Sequence, residues 1–173
     1  METTAQYPIG KFSKPSNVSD SQLNDYIQTL DRFPEDLNQL TQHLEEDVLN
    51  RPYREGGWTI RQLVHHISDS HHHAYNRLRW ALSEDTPMIK AYDQDAFAAI
   101  GDYSETPIDW SIDHLKAVHR KMVYLFKNMN EDQWERSYGH PEMDELMNLK
   151  QLAAMYAWHS RHHFAHIKNG LKA

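Results

Sequence analysis

The stretch that decides the fold is Trp58–Leu82, WTIRQLVHHISDSHHHAYNRLRWAL, which predicts a long amphipathic helix. Thr59 is followed three residues later by Gln62, the spacing of a capping box, so the helix is predicted to begin at Thr59. At 100° per residue, its apolar residues share one stripe that should face the protein interior. This stripe contains Ile60, Leu63, Val64, Ile67, Ala74, Leu78, Ala81 and Leu82.

The five histidines of this helix divide by their position around it. His71 falls near the middle of the apolar stripe and His66 on its flank, where a bundle helix still meets a neighbour. His65, His72 and His73 are expected to lie on a solvated face. Among them, His66 is considered as a metal ligand only because of a second group of histidines about ninety residues later in the chain.

A second histidine-rich stretch, Trp158–Ile167 (WHSRHHFAHI), lies near the C-terminus. His159 and His163 are one turn apart on the apolar stripe, whereas His162 points well off it. Two imidazoles at this spacing on one helix face can chelate a single ion. The alternative is a hydrogen-bonded pair of core histidines, and a third imidazole from His66 or His119 on a neighbouring helix would favour a metal site.

Four amphipathic helices are predicted along the chain. The first runs from Ser19-Asp20 to about Leu44, with Pro34 as a kink or break. The second starts at Thr59 and ends before Thr86-Pro87. The third starts near Asp109 and carries His119 on its apolar face. The fourth starts at Asn148, where Gln151 stands at the third position, and ends at Gly170.

The segments between and before these helices complete the prediction of the fold. Residues 1–18 should form an extended lead-in, and the long connection 88–107 should hold one short helix near Asp93–Ala99 and cover part of the protein. We detect no strand-like alternation. The sequence therefore predicts an all-α fold, a four-helix bundle with a long connection between the second and third helices, in a single domain spanning residues 1–173.

Composition restricts the function further. The 173 residues include no cysteine, so a transition metal would have to be held by imidazole and carboxylate groups. A net charge of −7 without a Lys/Arg block argues against nucleic acid or an anionic membrane as a partner. No apolar run is long enough to span a membrane and no signal peptide is visible, so we expect a cytoplasmic protein.

Beyond these patterns, RPYREGGWTIRQLVHHISDSH (Arg51–His71) resembles the corresponding stretch of YfiT-like members of the DinB-like superfamily. The similarity extends from YPIG at Tyr7–Gly10 through EDTP at Glu84–Pro87 to WHSRHHFAHI, nearly the full chain. The resemblance implies a four-helix bundle, a homodimer, and one divalent ion bound by three histidines. Carried over residue by residue, these ligands are His66, His159 and His163. The chain departs from the relative at His72, His73 and Arg161, which leaves substrate preference open.

The resemblance also implies an enzyme that acts on a small molecule. Three imidazoles leave a coordination position open on zinc, or more than one on nickel or iron, and zinc is the expected ion. Such an ion can activate water for hydrolysis, the activity ascribed to YfiT-like proteins, or a low-molecular-weight thiol for S-transfer, as in related members that use bacillithiol. A non-enzymatic metal-binding or stress-induced bundle is the remaining alternative.

Residues for proton transfer and substrate contact are less well marked. Asp69 lies one turn after His66 and could orient it or act as a general acid or base, although a surface aspartate bonded to solvent is equally compatible. Tyr53, Arg54 and Trp58 precede the second helix and could line the mouth of the pocket. Trp58 could instead only pack the helix start against the core.

Overall fold

The computed structural model describes residues 4–172, within which it contains eight helices and two short strands. The helices are α1 (Asp20–Thr41), α2 (Glu46–Leu49), α3 (Ile60–Ser83), α4 (Gln94–Ala98), α5 (Asp102–Glu105), α6 (Ile108–Asn128), α7 (Glu131–Trp134) and α8 (Leu149–Gly170). The strands are β1 (Ser137–Tyr138) and β2 (Met147–Asn148). The four long helices α1, α3, α6 and α8 form the predicted four-helix bundle.

The long helices begin where their capping residues predict. Ser19, Thr59 and Asn148 cap α1, α3 and α8, and each forms a capping box with the glutamine three residues later. Each box satisfies two backbone N–H groups that would otherwise lack a partner. The end of α1 was predicted less well, because the helix stops at Thr41 rather than near Leu44.

Pro34 does not break α1, contrary to one of the two outcomes predicted for it. A proline has no backbone N–H, so the carbonyl of Leu30, four residues earlier, loses its usual helical donor. That carbonyl oxygen instead accepts a hydrogen bond from Nδ1 of His119, at 2.6 Å. The imidazole of α6 thus replaces the missing helical bond of α1.

In the bundle, the first two long helices, α1 and α3, are not neighbours although they are consecutive in sequence. Helix α1 packs mainly against α6 and α8, and α3 packs mainly against the same two helices. The first and second long helices therefore lie on one diagonal of the bundle. This arrangement places α3 directly beside α8, so their histidines can face each other.

The core consists of two apolar clusters separated by a layer of histidines. On α3, one cluster contains residues from Ile60 to Ile67 and the other residues from Ala74 to Ala81. His71 lies between these two groups and is completely buried. The same division occurs on α8, where the histidines lie between Tyr156 and Ile167. Polar side chains thus occupy the middle of the bundle.

The long connection between α3 and α6 covers the side of α3, as predicted. Helix α4 has Asp93 as its N-cap, in agreement with the short helix expected near Asp93–Ala99. Helices α4 and α5 both pack against α3. The four-residue helices α2, α5 and α7 were not predicted, because they are too short to show helical periodicity.

The expectation that the chain contains no strand was wrong. Strands β1 and β2 pair antiparallel, with Ser137 opposite Asn148 and Tyr138 opposite Met147. Two-residue strands are too short to show apolar alternation, which explains why no alternation was detected.

The N-terminal lead-in contains no helix over residues 4–18, as predicted, and residues 1–3 of that prediction lie outside the described part. The segment runs along α8. The carbonyl of Gly10 accepts a hydrogen bond from Trp158 Nε1 at 3.3 Å, and the carbonyl of Pro15 accepts one from Gln151 Nε2 at 3.0 Å. Between residues 4 and 172, we find no helix that combines the length and apolarity needed to cross a membrane.

Candidate metal centre

The three predicted ligands, His66, His159 and His163, lie together where α3 faces α8. One ring nitrogen from each lies within 4.8 Å of the others. The ring centroids are 5.4 Å apart for His66 and His159, 4.9 Å for His66 and His163, and 4.4 Å for His159 and His163. The alternative third imidazole, His119, is not part of this triad and contacts His71 instead.

Burial keeps these imidazoles neutral. Desolvation lowers the pKa of His66 to about 4, and it lowers the pKa of both His159 and His163 well below the ordinary histidine value. A neutral imidazole has a nitrogen lone pair available for coordination. In addition, Nδ1 of His66 is buried without a hydrogen-bond partner in residues 4–172. An unpaired buried nitrogen among neutral imidazoles fits a site that can hold a transition metal ion.

The triad offers three ligands rather than four. Among residues 4–172, no further histidine or carboxylate joins His66, His159 and His163 at the same spacing. Structural zinc sites usually have four protein ligands, whereas catalytic sites leave a position open. The arrangement is therefore compatible with an ion that can bind water or substrate.

A chain of hydrogen bonds runs from α1 to the triad. Nδ1 of His119 donates a hydrogen bond to the Leu30 carbonyl oxygen, and Nε2 of His119 lies 2.8 Å from Nδ1 of His71. Nε2 of His71 in turn lies 3.1 Å from Nδ1 of His159. We refer to Leu30, His119, His71 and His159 as the interior histidine chain.

The Leu30 carbonyl determines which ring nitrogen of each histidine in the interior histidine chain carries the proton. A carbonyl oxygen can only accept, so His119 must donate from Nδ1, and its Nε2 then accepts from Nδ1–H of His71. Nε2 of neutral His71 accepts in the same way from Nδ1–H of His159. The chain thus leaves the lone pair of His159 on Nε2, with the Ser70 hydroxyl 3.4 Å away.

A second, shorter chain reaches His163 from the N-terminal lead-in. Nε2 of His166 donates to the Gln6 carbonyl oxygen at 3.0 Å, which leaves the Nδ1 lone pair of neutral His166 as an acceptor. Nδ1 of His163 lies 3.3 Å from that atom and donates to it. His163 therefore also keeps its lone pair on Nε2. Donation of the second ring N–H to a fixed acceptor is typical of metal-ligating histidines.

His162, His163 and His166 form a second group with metal-ligand spacing. Both ring nitrogens of His166 are already used in the chain from Gln6 to His163. This group is therefore better explained as support for His163 than as a separate ion site.

Two histidines expected to lie away from the interior are buried. His65 is only 4% exposed because α5 and α6 cover it: its Nδ1 lies 2.8 Å from Ser111 Oγ, and its ring contacts Tyr103. His162 is 6% exposed, because its ring stacks on Trp158 and lies beside Tyr7 of the lead-in. The expectation of a solvated His65 was wrong because segments outside its own helix cover it. His72 and His73 are half-buried.

The observed hydrogen bond of Asp69 joins it to the long connection and not to the triad. Its Oδ2 accepts a bond of 2.7 Å from the hydroxyl of Tyr103, on the long connection. This bond excludes a purely solvated aspartate and shows that Asp69 anchors the cover of α3. A role of Asp69 as general acid or base stays a prediction.

Two cavities adjoin the triad. The first, which we call the lead-in cavity, has a volume of about 470 Å³, and Tyr53, Arg54 and Trp58 line it together with His159 and His163. This confirms the prediction that the segment before α3 lines the pocket. Trp58 also contacts His66, with ring centroids 4.8 Å apart.

The second cavity has a volume of about 630 Å³ and is lined by His66 and His159. Arg77, Tyr92 and His140 line it, and we call it the Arg77 cavity. Periodicity and motif spacing did not identify these three residues as part of the site. Only Arg77 gave a usable signal, because a position eleven residues after His66 is three turns later on the same face of α3.

The fold and the triad define a class of protein: a helical bundle with a histidine-only candidate metal centre. Comparison with known proteins agrees with this class. The model of the DinB superfamily matches residues 29–167. The chain therefore belongs to the DinB superfamily.

Individual relatives match over nearly the full chain. A protein of Halalkalibacterium halodurans is 42% identical over 96% of both chains, and one from Bacillus pumilus is 41% identical over 98% of this chain and 97% of its own. Both are provisionally named metal-dependent hydrolases. YfiT from Bacillus subtilis, whose solved structure is described as a probable metal-dependent hydrolase with an unusual four-helix bundle topology, superposes with a TM-score of 0.94. It is 34% identical, and the match covers 97% of this chain and 96% of YfiT.

Proposed function

We propose that this protein is a metal-dependent hydrolase of a small-molecule substrate, with His66, His159 and His163 holding one divalent transition metal ion per chain. The observation that carries the proposal is the meeting of three neutral imidazoles, two of them buried and His159 half-buried, beside two cavities. Zinc suits three nitrogen ligands and one open position, and nickel or iron are the alternatives.

The imidazoles, the cavity walls and the hydrogen-bond chains each have a part in this function. An ion bound at the triad supplies Lewis acidity toward water or a carbonyl oxygen. The interior histidine chain holds the proton of His159 on Nδ1, and His166 does the same for His163. These bonds keep Nε2 of both residues unprotonated and fixed in orientation. Trp58 lies against His66 and lines the lead-in cavity beside His159 and His163.

The second candidate is transfer of a low-molecular-weight thiol to an electrophile at the same triad. It is favoured by the state of the acidic side chains, because a hydrolase needs a group that accepts a proton from water. In the Arg77 cavity, Asp93 and Glu142 are both exposed, and Asp93 caps α4. Thiol transfer depends less than hydrolysis on such a proton acceptor, because metal coordination favours the thiolate form.

The first experiment measures the ion. Protein purified without chelators should contain about one zinc, nickel or iron per chain by elemental analysis, and magnesium or calcium should not replace it because they prefer oxygen ligands. The variant His43→Ala, which changes an exposed histidine outside the triad, should keep the same content. Absence of any transition metal in the wild type would refute the site.

The second experiment separates the two activities. Metal-loaded protein is tested against a panel of amide and ester substrates, and separately against small thiols mixed with an electrophile. Hydrolysis that is lost in His163→Ala supports the hydrolase. Thiol transfer without hydrolysis, lost in the same variant, would replace the hydrolase with the transferase.

A further inference from the structure

Among the described residues, Arg77 is a buried cation that has no anionic partner. Its residue surface is only 7% exposed, and within residues 4–172 no carboxylate oxygen lies within 4 Å of its guanidinium nitrogens. Its one observed hydrogen bond goes from Nη1 to the hydroxyl of Tyr156, at 3.2 Å. Arg61, which is also buried, is by contrast paired with Glu46. An unpaired buried charge is costly, so Arg77 lacks the compensation that such a group usually has.

The position of Arg77 relates it to the candidate metal centre. It lines the Arg77 cavity together with His66 and His159. Tyr156, which accepts its hydrogen bond, also contacts the ring of His159, with centroids 5.7 Å apart. A small molecule in this cavity can therefore reach the guanidinium and the triad at the same time.

The charges around the cavity restrict what can pair with Arg77. Of the described residues that line it, Arg77 is the only one with a permanent positive charge, and exposed Asp93 and Glu142 also line it. A dianionic phosphate would meet one cation and two carboxylates. A carboxylate carries a single charge, and its two oxygens match the planar fork of an arginine.

We propose that the substrate carries a carboxylate group, which Arg77 binds while the bond to be cleaved lies at His66, His159 and His163. This inference rests on the proposed hydrolase for the reacting end of the molecule. Ser70 and Tyr92 line the same cavity and provide hydroxyl groups for hydrogen bonds to the substrate. Burial raises the pKa of Tyr92 to about 12, so this hydroxyl stays a donor at neutral pH.

The test compares three probes that differ only in the charged end: N-benzoylglycine, its carboxamide and the corresponding phosphonate. Binding is measured by calorimetry on the protein as isolated and again after chelation, in buffer free of carboxylate and phosphate. The carboxylate should bind at least about 10-fold tighter than the carboxamide, because charge-assisted hydrogen bonds are the stronger ones. The preference should persist after chelation.

Variants then assign the preference to Arg77. Arg77→Met should abolish it, and Arg77→Lys should keep only part of it, because lysine has the charge without the fork. Arg79→Met is the matched control, since Arg79 is exposed on the same helix and contacts Tyr75. Circular dichroism checks that each variant is folded, and the wild-type comparison stands without any variant.

Several results would overturn the proposal: equal affinity for carboxylate and carboxamide, a preference for the phosphonate, no binding of any probe at millimolar concentration, or a preference that survives in Arg77→Met. A preference seen only with the ion present, and unchanged in Arg77→Met, would assign the carboxylate to the metal instead. If the protein prefers the carboxylate but neither binds metal nor hydrolyses any compound of the panel, the proposed hydrolase function is rejected and the Arg77 site is kept. If it hydrolyses a compound of the panel but shows no carboxylate preference, the Arg77 site is rejected and the hydrolase function is kept.

Discussion

Replacing His71 with phenylalanine should break the interior histidine chain without leaving a hole. The substitution removes the bonds of 2.8 Å to His119 and 3.1 Å to His159. Nε2 of His119 and Nδ1 of His159 then lack partners in the interior. Each unsatisfied buried group costs about 1–3 kcal/mol, so we expect a loss of about 2–6 kcal/mol in the free energy of unfolding of the metal-free protein. Domains are typically stable by about 5–15 kcal/mol, so the variant should still fold if the wild type is stable by more than about 6 kcal/mol.

The same substitution should weaken metal binding. Without an acceptor at Nδ1, His159 can place its proton on Nε2 and lose the lone pair that faces the triad. Loss of such a supporting partner typically reduces metal affinity about 10–100-fold. Urea unfolding measures the stability, and competition with a calibrated chelator measures the zinc affinity.

The matched control is His72→Phe, one residue later on α3. His72 is half-buried and bonds His114 near the surface, so neither stability nor metal affinity should change comparably. His71→Gln, which keeps a donor and an acceptor, should lose less metal affinity than His71→Phe. If His71→Phe lost stability but bound zinc as tightly as His72→Phe, the chain would only support the fold and would not orient His159.

Three further predictions concern the burial of the histidines and the helix caps. Burial lowers the pKa of His66 and His119 to about 4, so the unfolded chain binds more protons than the folded protein between pH 6.5 and 4. The free energy of unfolding of the metal-free protein should therefore fall over that window by up to about 1.4 kcal/mol per histidine per pH unit. A free energy of unfolding that stays constant from pH 7 to 4.5 in chemical denaturation would refute this. His66→Ala should reduce metal affinity at least about 10-fold, whereas His65→Ala should lower the melting temperature and leave the metal content unchanged. The opposite pattern in elemental analysis would show that His65, and not His66, is the ligand. Thr59→Ala should destabilise the protein by about 1 kcal/mol in urea unfolding through loss of the α3 cap, with Thr86→Ala as the control outside any cap, and an equal effect of both would contradict the capping argument.

The parts of the fold that depend on local chemistry could be predicted from the sequence. Thr59 and Asn148 marked helix starts because each capping pair acts over three residues. The spacing of His159 and His163 placed two imidazoles on one face for the same reason. Helical periodicity could not choose between His66 and His119 as the third, because that choice depends on which helices are neighbours in the bundle.

The parts that depend on distant segments could not be predicted. His65 is buried by α5 and α6, and His162 by the lead-in, neither of which is visible in the periodicity of the helix itself. From the sequence alone, Pro34 predicts a kink or break in α1, because the His119 imidazole that replaces its missing hydrogen bond belongs to α6. Arg77 differs from a surface arginine only in its surroundings, so only the structure shows that it is buried.

The hydrogen bond between Gln6 and His166 has a consequence for the order of folding. It joins residues 160 positions apart, nearly the whole length of the chain. Contacts between distant residues require a large loop closure and tend to form after local ones. The four helices can therefore assemble before His163 is held in its final orientation, so that high-affinity metal binding would be gained last during refolding. An extension fused to the N-terminus, or cleavage just after Gln6, would then affect metal uptake more than helix content.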